Sequence, residues 1–198
     1  MRIVLATEIH GRSAHVEILA ARLSAHGRVE IVDPYEGKPQ AFAGEAAAYA
    51  AFLAGGGHAA YAEHLAGALK KSGPDTFLLG FSAGAGAAWL AAADPTLPRP
   101  LGLVGFYGSR IREASELTPR CPAVLVWPAR EEHFDVDSLA ARLARTPGVT
   151  CLRTPYGHGF MNPLSPNFDA EGAARGAKWL DEVLGTAAEG AEWVRVAD

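Results

Sequence analysis

The sequence predicts a doubly wound α/β fold, and three observations carry that expectation. Six short apolar runs, at residues 2–6, 29–32, 76–79, 101–106, 123–127 and 149–153, punctuate the chain. They barely alternate in polarity, as strands do when helices cover both faces of a parallel sheet. Between them apolar residues recur at helical spacing, and strand–helix alternation over the whole length marks such a sheet. At 198 residues the chain is long enough to bury a core as one domain.

Each element has its own signal. The run 2–6 opens the sheet, and Val16, Leu19, Ala20 and Leu23 then share one helical face. After the second run, residues 41–72 exceed what one connection needs and hold two Ala-rich helical pieces. Three glycines in a row, Gly55-Gly56-Gly57, separate them. Each would cost roughly 1 kcal/mol inside a helix, so a break is expected there. It reads as a surface loop, with a hinge or lid as the alternative. The third run leads into an Ala-rich helix over 83–93. Val136, Leu139, Ala140 and Leu143 mark a later helix, and Ala173, Ala177, Leu180 and Leu184 the last one. Trp193, Val194 and Val196 in the tail are expected to pack back on the body or against a partner.

Composition narrows the function. Hydrophobic content of 49% and charged content of 20% are ordinary for a globular protein. A net charge of −4 offers no basic footprint for nucleic acid. The first apolar run is too short for a signal-peptide core or a membrane span, so a cytoplasmic protein is expected. Cys121 and Cys151 lie at or within apolar runs and read as buried free thiols.

The most informative feature is Gly80-Phe81-Ser82-Ala83-Gly84, between a strand and a helix. A nucleophile elbow needs that context: a serine on a sharp turn, with small residues two positions either side so that strand and helix approach closely. The competing reading is a plain turn with Ser82 capping the helix. A serine hydroxyl needs a base, and the base an orienting acid, in the chain order Ser, acid, His. His158 sits between two glycines in the loop after the last strand, at the edge where ligands bind in open α/β sheets. Glu131, Glu132, Asp135 and Asp137 compete as the acid. Asp135 suits the N-cap of the next helix and Asp137 its first turn, which leaves the two glutamates for the loop. The oxyanion would be met by the N–H of Ala83 and by one from Thr7-Glu8-Ile9-His10-Gly11.

Taken in order, these segments resemble the dienelactone hydrolase family of small α/β-hydrolases. The resemblance rests on Glu8-Ile9-His10-Gly11, Asp33-Pro34-Tyr35, the elbow, Phe106-Tyr107-Gly108, Glu132-His133-Phe134 and His158-Gly159-Phe160-Met161-Asn162. It implies a six-stranded parallel sheet ordered 2-1-3-4-5-6, the chain opening at what resembles the third strand of the usual fold. It implies ester or lactone hydrolysis without metal or organic cofactor. It makes His158 the base and Glu132 the acid, with Ile9 supplying the second oxyanion N–H. Glu8 matches a family glutamate that contacts the resting nucleophile; its plain alternative is an ion pair with Arg12. His10, Phe81, Tyr107 and Phe160 are expected to line or support the substrate pocket. The family's nucleophilic cysteine is Ser82 in this chain, and its substrate-binding arginine is Asn162. Loss of that arginine, with no match for a second one near residues 41–52, argues against dienelactone itself.

The expected activity is thus a serine hydrolase of small carboxylic esters or lactones, with no nucleic-acid or membrane partner. Acyl transfer to an alcohol would use the same residues. Two other classes compete. One is a module holding an anion or nucleotide at Gly80, Gly84 and Gly86, with Asp33 on a ribose. The other is a hydrolase fold that has lost turnover and serves a partner.

Overall fold

The computed structural model describes residues 1–73 and 75–194. Six parallel strands form one sheet in the order β2-β1-β3-β4-β5-β6, as the resemblance implied. They are β1 (Arg2–Ala6), β2 (Arg28–Val32), β3 (Thr76–Phe81), β4 (Gly102–Phe106), β5 (Ala123–Trp127) and β6 (Val149–Arg153). The helices are α1 (Ala14–Leu23), α2 (Glu45–Ala54), α3 (Gly57–Lys70), α4 (Ala83–Ala93), α5 (Val136–Leu143) and α6 (Ala170–Ala188), with a 3₁₀ turn at Ser109–Ala114 after β4. Among the described residues no helix is long and apolar enough to cross a membrane.

The period of two along each strand divides the core into two layers. Ile3, Leu5, Phe77, Leu79, Val104 and Val126 face α1 and α6. Val4, Ala6, Leu78, Leu103 and Leu125 face α3, α4 and α5. Strands β3, β4 and β5 are buried throughout, whereas β2 and β6 at the rims are only partly covered. This explains the weak alternation of the central strands, which carry apolar side chains toward both layers.

The helix boundaries follow local chemistry. Asp135 caps α5 by accepting from the Ser138 N–H at 2.6 Å, and Asp169 caps α6 by accepting from Gly172 at 2.7 Å. The glycine run does separate two helices: α2 ends at Gly55, and Gly56, with φ of +94°, starts α3. The tail returns to the body, where Trp193 is buried and packs edge-on against Phe77 with ring centroids 5.0 Å apart. Val194 packs on the same layer, while Val196 lies outside the described residues. Cys121 is buried, Cys151 half-buried, and both are free thiols. Burial pushes the Cys121 thiol up to about 12, which keeps it protonated and unreactive at neutral pH.

The site depends on the packing of α4 against the strands. A Cβ on Gly84 would lie 2.3 Å from the carbonyl oxygen of Ala6 and 2.5 Å from that of Thr7. A Cβ on Gly80 would lie 2.6 Å from the Ala85 Cα. Both positions face backbone, which has no flexible end to move away. Gly84→Ala should therefore destabilise the fold by about 1–3 kcal/mol. At roughly 2–4 °C per kcal/mol for a chain of this size, thermal unfolding checks it; an unchanged midpoint would contradict the close approach.

Candidate active site

Ser82 sits between β3 and α4 with φ of +50° and ψ of −113°, a backbone conformation that side-chain-bearing residues rarely adopt. Its N–H donates to the Phe106 carbonyl on β4 at 2.9 Å, and its carbonyl accepts from Gly86 at 3.2 Å. The turn is thus held from both sides, and the hydroxyl emerges above the carboxyl ends of the strands. As a helix-capping side chain Ser82 does nothing: it makes no cap hydrogen bond to α4.

His158 comes to it from the β6–α6 loop. Ser82 Oγ lies 2.9 Å from His158 Nε2, and His158 Nδ1 lies 2.7 Å from Glu131 Oε1. An ionised carboxylate only accepts, so Nδ1 carries the proton and donates to Glu131, and Nε2 accepts from the serine. The imidazole's partner is Glu131, not Glu132. From Trp127 the chain runs Pro128-Ala129-Arg130 before the glutamates, and this path turns the first of them inward. Glu132 is exposed, as is His133 beside it. Burial disfavours the charged imidazole, but the hydrogen bond and charge of Glu131, helped by Glu8 and Glu45, outweigh it and hold His158 above its usual value.

Ser82, His158 and Glu131 open onto a cleft of about 550 Å³. Ile9 and Ala83 line it beside Ser82, with the first-turn N–H groups of α4 lacking intrahelical acceptors. Glu45 and Tyr49 of α2 and His58 of α3 form one wall; Arg110, Arg112 and Arg130 lie in another. His58 is half-buried, and desolvation with the nearby Arg110 and Arg112 lowers it to about 4. The arginines follow β4 and β5 at the carboxyl edge of the sheet, a position that marks ligand-facing residues in such folds. That rule, applied to the segment after Tyr107-Gly108, would have singled out Arg110 from sequence.

Glu8 contacts neither the nucleophile nor Arg12. Its carboxyl accepts from the Tyr107 hydroxyl at 2.7 Å and from the Asn162 amide at 2.5 Å, while Arg12 pairs with Glu17. Burial holds the Glu8 carboxyl above its ordinary value, and these two hydrogen bonds offset only part of that rise. His10 is buried beside Asn162, its Nδ1 3.2 Å from the amide nitrogen. None of Glu8, His10, Phe81, Tyr107 and Phe160 lines the cleft. Glu8, Phe81 and Tyr107 instead border a separate apolar cavity of about 300 Å³ against α1 and α6. Phe160 stacks on Tyr156 and meets Tyr107 edge-on at 5.6 Å, so it supports the site from behind. Among the described residues no group of three or more His, Cys, Asp and Glu side chains is placed to hold a metal ion.

Asp33 has no free oxygen for a ribose. Its two carboxylate oxygens accept from the N–H groups of Tyr35 at 2.8 Å and Gly37 at 2.9 Å, closing the turn after β2.

No family model matches the chain. A curated relative, the uncharacterized protein YczH of Bacillus subtilis (strain 168), is 35% identical over 102 residues, 50% of this chain and 49% of that protein. The match thus spans about half the length of that relative. Solved structures match more completely. A dienelactone hydrolase candidate from Klebsiella pneumoniae subsp. pneumoniae MGH 78578 superposes with a TM-score of 0.69 at 19% identity, covering 90% of this chain and 84% of that one. A dienelactone hydrolase-like promiscuous phosphotriesterase from metagenomic libraries gives 0.68 at 18% identity, covering 92% and 84%. A sugar hydrolase, YeeB, from Lactococcus lactis gives 0.62 at 17% identity, covering 96% and 90%. The chain has the α/β-hydrolase fold, in the form seen in dienelactone hydrolase-like proteins.

Proposed function

We propose that this protein is a serine hydrolase of small carboxylic esters or lactones. The observation that carries the reading is the continuous hydrogen-bonded line from Ser82 through His158 to Glu131, at 2.9 and 2.7 Å, with the serine on a strained elbow. Similar folds with hydrolase and dienelactone hydrolase descriptions add to it.

Ser82 Oγ attacks the acyl carbon as His158 Nε2 takes its proton, and the carbonyl π pair moves onto oxygen. The N–H groups of Ile9 and Ala83 receive that oxyanion. The C–O bond to the alcohol then breaks, and the imidazolium returns its proton to the leaving oxygen. In a lactone that alcohol stays tethered to the acyl group. Water, deprotonated by His158, attacks the acyl-enzyme; the acid is released and Ser82 regains its proton. Glu131 keeps the imidazole in the required tautomer and stabilises its charged form.

Ser82→Ala should lower kcat for p-nitrophenyl acetate at least about a thousandfold. Wild-type turnover in that variant, or a wild-type protein that no fluorophosphonate labels, would remove the assignment.

The two glutamates separate the triad acid cleanly. Glu131→Gln should cost about a hundred- to ten-thousandfold in kcat. Glu132→Gln, an exposed change, should stay within roughly twofold. The reverse ranking would return the acid to Glu132.

The pH profile gives a further check. The base must be neutral, so kcat/KM should fall as pH drops through the His158 pKa, which lies above the ordinary imidazole value. Glu131→Gln removes the largest group raising it, and the acid limb should move to lower pH. An acid limb that stays in place in that variant would show that Glu131 does not set it.

A further inference from the structure

The buried polar cluster behind His158 touches neither the nucleophile nor the cleft, yet it joins three loops. Glu8 belongs to the β1–α1 loop, Tyr107 to the end of β4, and Asn162 to the β6–α6 loop that also carries His158. All three side chains are buried. The hydrogen bonds leave little freedom. The Leu164 N–H donates to Asn162 Oδ1 at 2.9 Å, which fixes the amide so that its nitrogen faces Glu8 Oε2 and His10 Nδ1. The Tyr107 hydroxyl donates to the other Glu8 oxygen.

Glu8 itself stands on a pinned loop. Its carbonyl accepts from the Gly11 N–H at 3.0 Å and the Thr7 hydroxyl at 3.1 Å. The next carbonyl, Ile9, accepts from the Tyr35 hydroxyl at 2.6 Å. The loop of Ile9 is therefore held without the Glu8 side chain, and the side chain acts outward, on Tyr107 and Asn162. Tyr107 has φ of +39°, a conformation that non-glycine residues rarely adopt, and its side chain meets Glu8 at the hydroxyl and the imidazole at the ring. The Tyr107 and His158 ring centroids are 5.1 Å apart. A buried, hydrogen-bonded acid is a costly way to fill space, since apolar residues of the same volume are often as stable or more so.

We propose that Glu8 is a positioning residue: acting through the Tyr107 ring and the Asn162 amide, it holds the His158 imidazole in line between Ser82 and Glu131. The role in turnover rests on the reaction proposed above; the effect on the imidazole does not.

Two conservative variants and one spectroscopic signal test this. Tyr107→Phe keeps the ring and removes only the hydroxyl; Glu8→Gln keeps the shape and removes one acceptor. The expected result is a 10- to 100-fold loss of kcat on a small p-nitrophenyl ester in each variant, with KM within about twofold, as misplacement of a reacting group by an ångström produces. The low-field proton resonance of the His158 Nδ1–H, which needs no substrate, should shift or broaden in both. Variants that lose thermal stability but keep wild-type kcat and an unmoved resonance would overturn the proposal. Should Glu8→Gln not fold, Tyr107→Phe decides alone by the same signals. An unaltered wild-type protein that hydrolyses no ester, with a resonance that still moves in Tyr107→Phe, would sink the reaction and leave the positioning role standing.

Discussion

The contact on which the site depends is the close approach of α4 to the ends of β1 and β3. Gly84 lies against the carbonyls of Ala6 and Thr7, and Gly80 against the first turn of α4. That approach leaves Ser82 no relaxed conformation, and its positive φ is the consequence. Strain of this kind costs of order 1–3 kcal/mol and persists only where the surroundings over-determine it. The surroundings here are β4, which accepts the Ser82 N–H, and a helix whose first six residues, Ala83 to Ala88, are all alanine or glycine. The small side chains there are what let the start of the helix lie so near the sheet.

From this fixed point the other groups are brought in by separate strands. Parallel order places the loops after β1, β3, β4, β5 and β6 at one rim, so residues up to 154 positions apart in the chain, such as Glu8 and Asn162, become neighbours. Each contributes something the others cannot: a hydroxyl from β3, an imidazole after β6, a carboxylate after β5, and a buried acid after β1 that reaches the imidazole only through intermediaries. Two carboxylates thus flank one imidazole. Glu131 touches it; Glu8 is separated from it by an aromatic ring.

The cleft wall is chemically divided. Tyr49 and Ile9 offer apolar contact, while Arg110, Arg112 and Arg130 bring positive charge. Burial, with Arg110 and Arg112, keeps His58 neutral. Arg112 is itself fixed, donating to the Ser109 carbonyl and lying 5.4 Å from the Phe134 ring centroid. Selection among substrates, in the function proposed for this protein, would be made by these residues of the loops after β4 and β5 and by α2.

By itself the sequence determined the elements and their kind. Apolar runs, helical spacing and the caps at Asp135 and Asp169 are local properties, set by side chains within a few residues of each other. The elbow was equally legible, because its requirement for small residues is local as well. His158 could be picked out by its place after the last strand. The choice between Glu131 and Glu132 could not, because adjacent residues differ in which way they point, and that depends on how the loop after β5 meets the loop after β6. Nor could the partners of Glu8: a carboxyl's hydrogen bonds are settled by which donors the packed loops deliver, and Tyr107 and Asn162 arrive from 99 and 154 residues away. The His58 environment followed the same rule, since its arginines come from beyond β4. Local chemistry wrote the secondary structure and the turn that presents Ser82; long-range packing alone decided which carboxylate meets the His158 imidazole and what stands behind it.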